Sequence, residues 1–536
     1  MSAKTQRGQA LILIAVSFVG LAAFIGLAMD AGILFVTNGH LRRAVDAAAM
    51  AASMQFRRDT TQAEFEATVD QTLRANRIDV SAANVRLGVC YLGGTPNLSA
   101  IHDTSLCPGG ANNPSAYNRK LVRVNAELPV RLAFLPVIGL ATVTLQAEAV
   151  SEAASVDLIL VVDTSESMAV DSGAGFPACN ANNSCYPFEH VRQAARAFIQ
   201  EMYYPYDRVS LVHFDTDGYA PDPFLTNAEA DLLNRIGETG GSGGLRLLEM
   251  GGCWNPSNPS GCLSTNTAGG LREAGNALSD AANGGREEAL WVVVLLSDGA
   301  ANQAQDIRSV AQLPSPDPNA RPDGSHLEYL CPNEYLASGT PPASVYPLLP
   351  TQQAPSWIPP YCRDGRFGGY ASSERHRWDS PWYDVEDFTR DMADQLGCYQ
   401  LSNPDASDHC RTYDGGLNFG DGKVADGYEA LLFAIGIGPQ VTFTNCADAE
   451  PGSDDTGVWN TYYDDSTPAR TCRNDLGEQL LRYVAAAGDD GDPSTDPCAS
   501  TPSGNDCGNY YYRSDASNLG EVFSDIAKRI YTKITH

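Results

Sequence analysis

The sequence predicts an α/β protein built on a doubly wound sheet, with an N-terminal membrane helix and a small α+β region in front of it. Runs rich in Val, Leu and Ile at 156–162, 208–214, 290–296 and 431–438 are typical of strands buried on both faces of a parallel sheet. Between the first two runs, residues 188–203 place apolar side chains on one face of a helix. Ligands collect at the carboxyl ends of such strands, so the residues that follow them are candidates for a binding site.

The remaining elements of this region follow from the same patterns. We expect an edge strand near Phe224 and helices near 226–238 and 270–282, with a loop containing Thr265 between the two helices. A helix over 476–486, a strand over Tyr510–Tyr512 and a helix over 516–532 complete the predicted domain, 156–535.

The N-terminus predicts a membrane anchor. Lys4 and Arg7 precede an uncharged stretch from Ala10 to Met29, about 20 residues, which is long enough to span a bilayer. A cleavable secretory signal is the alternative, but its apolar core would be shorter and a small-residue cleavage site would follow. The positive charge before the span places residues 1–9 in the cytoplasm and the rest of the chain outside it.

Residues 30–150 predict a small region of pilin-like outline. An Ala-rich helical stretch continues the apolar span to about residue 55, and a polar helix covers 60–77. Three strands follow at 85–89, 121–128 and 142–150, of which the last two alternate apolar with polar residues as half-buried strands do. A long hydrophobic helix leading into a small set of strands is the outline of a pilin.

Oxygen-bearing side chains follow two of the predicted buried strands and predict a metal site. Asp163, Ser165 and Ser167 come after the strand at 156–162, Asp298 ends the strand at 290–296, and Thr265 lies in the loop between two helices. Hydroxyl and carboxylate oxygens are hard ligands, which favours Mg²⁺, Mn²⁺ or Ca²⁺ over Zn²⁺. The alternative is that the Ser and Thr residues only cap helices.

This arrangement resembles the metal-ion-dependent adhesion site of the von Willebrand factor A (VWA) domain, a Rossmann-like fold. The family motif is Asp-x-Ser-x-Ser after the first strand, a Thr from a second loop and an Asp closing a later strand. The resemblance implies that Ser165, Ser167 and Thr265 bind the ion directly and that Asp163 and Asp298 act directly or through water. Thr267 is the rival of Thr265; the usual ligand of the family is the first Thr of Thr-Asn-Thr. The resemblance also implies a protein partner that offers an acidic side chain to the metal.

The N-terminal region is similar to the TadE/TadG-like proteins of the Tad (Flp) pilus system. The likeness rests on Arg7–Ala10, Ala28–Gly32, Leu41–Ala49 and Pro129–Leu135. With the VWA-like domain behind it, the arrangement looks like TadG. One departure concerns processing: pilins of this system carry Glu five residues after the cleavage Gly, whereas Leu13 stands at that distance from Gly8.

Composition narrows the classes of function. The 536 residues carry a net charge of −29, which argues against nucleic acid as a partner. All 14 cysteines follow the apolar span, which indicates an oxidising compartment, and none has Cys-x-x-Cys spacing. Neighbouring cysteines suggest these disulfides: 90–107, 179–185, 253–262, 331–362, 398–410, 446–472 and 498–507.

A long insert interrupts the predicted domain between Asp298 and the strand at 431–438. Residues from about 302 to 425 are rich in Pro, Tyr, Trp, Asp and Gly and leave the strand end that carries Asp298, so we expect them to hang over the metal face. We expect a short linker in their place to leave the sheet intact. An insert with its own cysteines beside a metal site is typical of a specificity element; the alternative is a structural cover that shields the site.

No residues predict catalysis. The run Gly240–Gly244 fits Gly-x-Ser-x-Gly in letters but lacks the preceding strand that a nucleophile elbow needs, and His213 is expected in or near the core of a strand. The sequence therefore predicts a membrane-anchored, extracytoplasmic pilus protein that acts in assembly or adhesion through a divalent cation, most simply Mg²⁺. The alternative is an envelope or pilus scaffold in which the metal only stabilises the fold.

Overall fold

The computed structural model divides the chain into two compact units, one reaching to Ser155 and the other spanning Val156–Lys533. It describes residues 7–58, 60–91, 97–108, 119–169, 179, 184–215, 218–220, 225–237, 244–247, 265–280, 284–286, 288–298, 301, 304–305, 329–330, 385–397, 428–438, 441–442, 463–464, 471–472, 476–489, 498 and 500–533. Phe224, residues 240–243, most of the predicted insert and residues 1–6 of the predicted cytoplasmic segment lie outside this set.

The first unit begins with the predicted long helix. Helix α1 spans Arg7–Met54, and from Leu13 onwards it is long and apolar enough to cross a membrane, with a mean hydropathy of 2.2 over an 18-residue window. Helix α2 spans Gln62–Ala75 and begins with a capping box, in which the Thr61 side chain accepts from the Glu64 amide and the Glu64 side chain accepts from the Thr61 amide. These reciprocal bonds satisfy amides that the first turn of a helix leaves unpaired.

A three-stranded antiparallel sheet completes the first unit. Its strands are β1 (Asn84–Val89), β2 (Lys120–Arg131) and β3 (Thr142–Ala153), with β2 in the middle, and the last two are longer than the sequence predicts. Alternate residues of β2 are buried because successive side chains of a strand point to opposite faces. Buried side chains of the helices and of β2 form the core: Leu41, Val45, Ala48, Ala52, Phe65, Val69, Leu73, Val122, Val124 and Ala126.

The second unit contains the predicted doubly wound sheet. Six strands follow the order β13-β10-β7-β4-β5-β6: β4 is Ser155–Asp163, β5 Arg208–Phe214, β6 Gly218–Tyr219, β7 Ala289–Ser297, β10 Leu431–Ile437 and β13 Tyr510–Arg513. Counted along the chain from β4, this is the order 3-2-1-4-5-6 that is typical of dinucleotide-binding folds. The order reverses between β4 and β7, and ligands bind at such a switch point.

The pairing of the strands agrees with this topology. β4 pairs with β5, β7 with β10, and β10 with β13, all in parallel, and only the edge strand β6 runs antiparallel among these pairs. Two short antiparallel ribbons stand apart from the sheet: β8 (Ala304–Gln305) with β9 (Tyr329–Leu330), and β11 (Tyr463–Asp464) with β12 (Thr471–Cys472).

Helices cover the sheet and share its core. They are α3 (Phe188–Glu201), α4 (Glu229–Ile236), α5 (Thr267–Ser279), α6 (Val385–Gly397), α7 (Leu476–Ala487) and α8 (Leu519–Lys533). Buried residues of α5, α6 and α7 join Ile159, Val161, Val293 and Leu295 in one cluster, while Phe198 of α3 stacks on Phe523 of α8 with ring centroids 4.7 Å apart. Helix α5 begins three residues earlier than the sequence predicts.

Helix α6 corrects one expectation about the predicted insert. It lies inside residues 302–425, yet its side chains Phe388, Met392, Ala393 and Leu396 are buried in the main core cluster. A short linker across the whole range would remove this part of the core, so the expectation that the insert can be replaced without harm to the fold is wrong for α6.

Three of the predicted disulfides are present: Cys90–Cys107, Cys179–Cys185 and Cys498–Cys507. Each closes a loop of fewer than 20 residues, with sequence separations of 17, 6 and 9. Each of the other four predicted pairs includes at least one cysteine outside the described residues.

Candidate metal centre

The switch point of the sheet brings the two predicted carboxylates together. Asp163 is the last residue of β4 and Asp298 directly follows β7, its neighbour in the sheet. The Ser297 hydroxyl donates a 2.6 Å hydrogen bond to Oδ2 of Asp163 across the two strand ends. Both aspartates are buried, and Ser167, which follows Asp163 by four residues, is half-buried.

A chain of hydrogen bonds connects four of the five predicted residues. The Ser165 amide donates to Oδ1 of Asp163 over 2.9 Å, and the hydroxyl oxygens of Ser165 and Ser167 lie 2.9 Å apart. The Ser167 hydroxyl then donates to Oδ1 of Asp298 over 2.8 Å. The alternating serines of Asp-x-Ser-x-Ser thus turn both hydroxyls toward the two carboxylates.

The loop with Thr265 lies at the carboxyl end of β5. Phe214, the last residue of β5, is in register with Asp163, and the carbonyl of the next residue, Asp215, accepts from the Asn266 amide over 2.7 Å. The N-cap of α5 is Asn266, whose Oδ1 accepts from the Gly269 amide over 2.7 Å. Helix capping therefore does not account for Thr265.

Thr265 and Thr267 are both buried beside this loop. Within the described part of the chain, the Thr267 hydroxyl makes no hydrogen bond. The preference for Thr265 over Thr267 as a ligand stays a prediction.

The main influences on the Asp163 carboxylate are burial and hydrogen bonds from neutral groups. Burial raises the pKa of Asp163 to about 6, although hydrogen bonds from Ser165 and Ser297 and the amide of Asp298 oppose the shift. Hydrogen bonds from neutral groups compensate only part of the cost of removing a carboxylate from water. A bound cation would supply the missing charge.

The spacing of the oxygens fits a small hard cation. An octahedral Mg²⁺ shell with bonds of about 2.0–2.1 Å places adjacent oxygens roughly 2.9 Å apart. The Ser165–Ser167 and Ser167–Asp298 oxygen pairs lie at 2.9 and 2.8 Å, which suits such a shell and is also the ordinary length of the hydrogen bonds that join them here. Over the described residues, no three or more His, Cys, Asp or Glu side chains gather at one place, so the donor set here is one of hydroxyls and two carboxylates.

Two residues outside the predicted site, Ser297 and Asp157, form contacts with charged groups at the two ends of β4. Ser297 binds Asp163 directly, and the signal was a polar residue at the end of an apolar run. Asp157, near the start of β4, is held by Arg208 and Arg286, and the signal was a charged residue inside an apolar run. His213 is partly buried in β5 and stacks on Tyr219, with ring centroids 5.0 Å apart.

No protein family and no curated protein matches the sequence. Among solved structures, the VWF domain of the type V pili tip protein Mfa5 from Porphyromonas gingivalis is 14% identical with a TM-score of 0.32, covering 72% of this chain and 97% of that one. The PilB minor pilin from Streptococcus sanguinis is 12% identical with a TM-score of 0.33, covering 84% of this chain and 79% of that one.

The pilus adhesin SpaC from Lactobacillus rhamnosus GG is 13% identical with a TM-score of 0.32, and the match covers 84% of this chain. This chain spans about a third of the length of that adhesin, 35%. All three TM-scores lie below 0.5.

Proposed function

We propose that this chain is a membrane-anchored pilus-associated protein whose second unit binds a protein partner through a divalent cation. The observation that carries the proposal is the corner at the switch point, where Asp163, Ser165, Ser167 and Asp298 are joined by short hydrogen bonds. The sheet order supports a VWA-like fold for this unit, and the motif supports a metal-ion-dependent adhesion site.

The hydroxyl and carboxylate residues would have different roles at the ion. Ser165 and Ser167, with Thr265 from the neighbouring loop, would offer neutral oxygens to the ion, and Asp163 and Asp298 would offset its charge. A bound Mg²⁺ supplies a positive centre that can accept one more oxygen ligand. With only two carboxylates in the set, the site retains affinity for an acidic side chain of a partner.

The proposed place of action is the cell envelope. Helix α1 is suited to anchor the chain, with residues 1–9 in the cytoplasm and the second unit outside. The three disulfides agree with an oxidising compartment. The motifs shared with TadE/TadG-like proteins support a role in assembly of, or adhesion by, a Tad (Flp) pilus.

The test separates metal binding from partner binding. Calorimetry with Mg²⁺ alone should show binding to the wild-type protein and none to Asp163→Ala. Cells that display Asp163→Ala at the wild-type level should lose pilus assembly or adhesion. The matched control is Asp231→Ala, which removes an exposed carboxylate of α4 in the same unit and should leave both readouts unchanged. Unchanged assembly and adhesion with Asp163→Ala would overturn the adhesion mechanism.

The alternative function is a scaffold in which the ion only stabilises the fold. The observation that favours it is the hydrogen-bonded chain from Asp163 to Asp298, which already links the two strand ends. In that case EDTA would lower the melting temperature of the wild type, because a ligand of the native state stabilises it by mass action, while metal-site variants would keep pilus function.

A further inference from the structure

The turn between β2 and β3 exposes an apolar surface that a water-facing hairpin would not carry. We call residues Leu132–Ala141 the hairpin tip; its sequence, LAFLPVIGLA, contains no charged residue. Phe134, Val137 and Leu140 are 45%, 90% and 52% exposed. Turns between strands are normally polar, so this composition needs a different explanation from turn geometry.

The hairpin tip is fastened to helix α1 at a defined height. Oδ1 of Asp30 accepts from the Ala133 amide over 2.7 Å, and Oδ2 accepts from the Phe134 and Leu135 amides over 3.0 and 2.7 Å. Asp30 is fully buried under these three bonds. One turn before it, Phe134 lies against Gly26 so closely that an added Cβ would be 2.9 Å from the Phe134 Cβ.

That height lies within the apolar part of the helix. Beyond the point of attachment, α1 still exposes large apolar side chains, with Phe35 81% and Val36 67% exposed. From Gly26 to Val36 the helix rises about 15 Å. Asp30 is the only charged residue between Leu13 and Gly39, and its carboxylate is enclosed by backbone donors. The apolar surface of α1 is therefore continuous past Asp30.

We propose that the hairpin tip inserts into the lipid bilayer beside α1, in the leaflet that the outer end of the helix crosses. The span then includes Asp30 and reaches Val36, instead of ending at Met29 as the charge pattern alone predicts. Lipid acyl chains are the occupant because the tip continues the exposed surface of α1 and adds no charge to it. Three backbone donors on Asp30 meet the requirement that polar groups at this depth be satisfied within the protein.

This proposal rests on the anchoring role of α1 within the proposed function. It adds a second contact with the membrane, which restricts the depth and the tilt of the first unit relative to the bilayer.

The test places full-length protein in vesicles of phosphatidylcholine and phosphatidylglycerol that contain a phospholipid with a photoreactive diazirine on its acyl chain. After illumination and proteolysis, mass spectrometry should find lipid adducts within residues 132–141 as well as within 13–36. Adducts on the helix with none on the tip would overturn insertion and leave the anchor intact. No adducts on either would overturn the anchor itself.

A pair of variants sharpens the result. Val137→Asp should lower the yield of tip adducts by at least about tenfold, because an acidic side chain is costly inside a membrane. The control, Val150→Asp, changes an exposed apolar residue of β3 in the same unit and should leave tip labelling unchanged. With benzoylphenylalanine at Val137 in the same vesicles, we expect lipid adducts; a covalent protein dimer instead would assign the tip to a second copy of the chain and overturn the proposal.

Discussion

The two ends of strand β4 carry the same side chain in opposite electrostatic environments. Asp157 and Asp163 are both fully buried and lie six residues apart in one strand. Burial alone would raise the pKa of Asp157, but hydrogen bonds and positive charge from Arg208 and Arg286 hold it below its ordinary value. At the other end, burial raises the pKa of Asp163 to about 6.

The two aspartates differ in whether the chain itself supplies a compensating positive charge. At Asp157 the compensating charge belongs to the chain: Arg208 and Arg286 approach its two oxygens at 2.6 and 2.7 Å, and the Arg286 amide adds a third donor. At Asp163 the donors are neutral hydroxyls and amides. The charge of Asp157 is thus neutralised by the chain itself, whereas the donors to Asp163 among the described residues are neutral groups, as the proposed cation site requires.

The largest effect on stability should come from a substitution of Asp157. Asp157→Asn leaves two arginines without their buried carboxylate and should lower the free energy of unfolding by about 3–5 kcal/mol. Urea unfolding of the full chain in detergent, followed by tryptophan fluorescence, measures this unit alone because all 6 tryptophans lie after Val156. Asp231→Asn is the control, and a loss under about 1 kcal/mol for Asp157→Asn would contradict the assignment.

The same Asp→Asn change at Asp163 should increase the stability of the metal-free protein. In EDTA at pH 7, Asp163→Asn removes an uncompensated buried charge and should raise the free energy of unfolding by about 1–3 kcal/mol. With Mg²⁺ at a hundred times its dissociation constant, the wild type should gain about 2.7 kcal/mol and the variant nothing. A variant that is less stable than the metal-free wild type would show that Asp163 is already neutralised within the chain.

The contributions of the two aspartates to stability should change over different pH ranges. The pKa of Asp163 is raised in the folded state, so the metal-free fold binds more protons than the unfolded chain between pH 4 and 6 and gains up to about 3 kcal/mol as the pH falls through that window. The pKa of Asp157 is lowered, so its contribution persists there and is lost only below about pH 4.

The measurement is the difference in unfolding free energy between each variant and the wild type at several pH values in EDTA. The Asp163→Asn difference should shrink between pH 6 and 4, while the Asp157→Asn difference stays constant. Parallel profiles for the two variants would contradict the opposite pKa shifts.

The smallest effect concerns one hydroxyl. Ser297→Ala removes the 2.6 Å bond to Asp163 and should cost about 1 kcal/mol in EDTA at pH 7. Ser210→Ala is the matched control: Ser210 is buried on β5, and its hydroxyl has no hydrogen-bond partner in the described part of the chain. Equal costs for the two serines would mean that the bond to Asp163 contributes nothing.

Local sequence patterns predicted the buried strands and the polar residues at their ends. The strand at 208–214 matches in both bounds, and those at 156–162 and 290–296 match to within one residue, because apolar runs report burial directly. Asp163, Ser165, Ser167 and Asp298 lie together, as predicted, because sheet topology gathers the polar side chains at strand ends; their binding of a metal ion stays a prediction.

What the patterns missed depends on contacts between distant segments. Helix α6 lies within a segment rich in turn formers, and only its burial against α5 and α7 marks it as core. The bonds that enclose the Asp30 carboxylate come from the amides of 133–135, which lie more than 100 residues away in the chain. Asp157 needed two arginines from separate segments for its role to be visible.

The bond between Ser297 and Asp163 joins residues 134 apart in the chain, and that separation has a kinetic consequence. Contacts of such long range form late, since the closure of a long loop precedes any gain from them. The proposed cation site would then form only after β4 and β7 have paired, so an ion would not accelerate the steps that bring them together. Added Mg²⁺ should slow unfolding and leave the refolding rate unchanged, because the ion would stabilise the folded domain and not the transition state for folding.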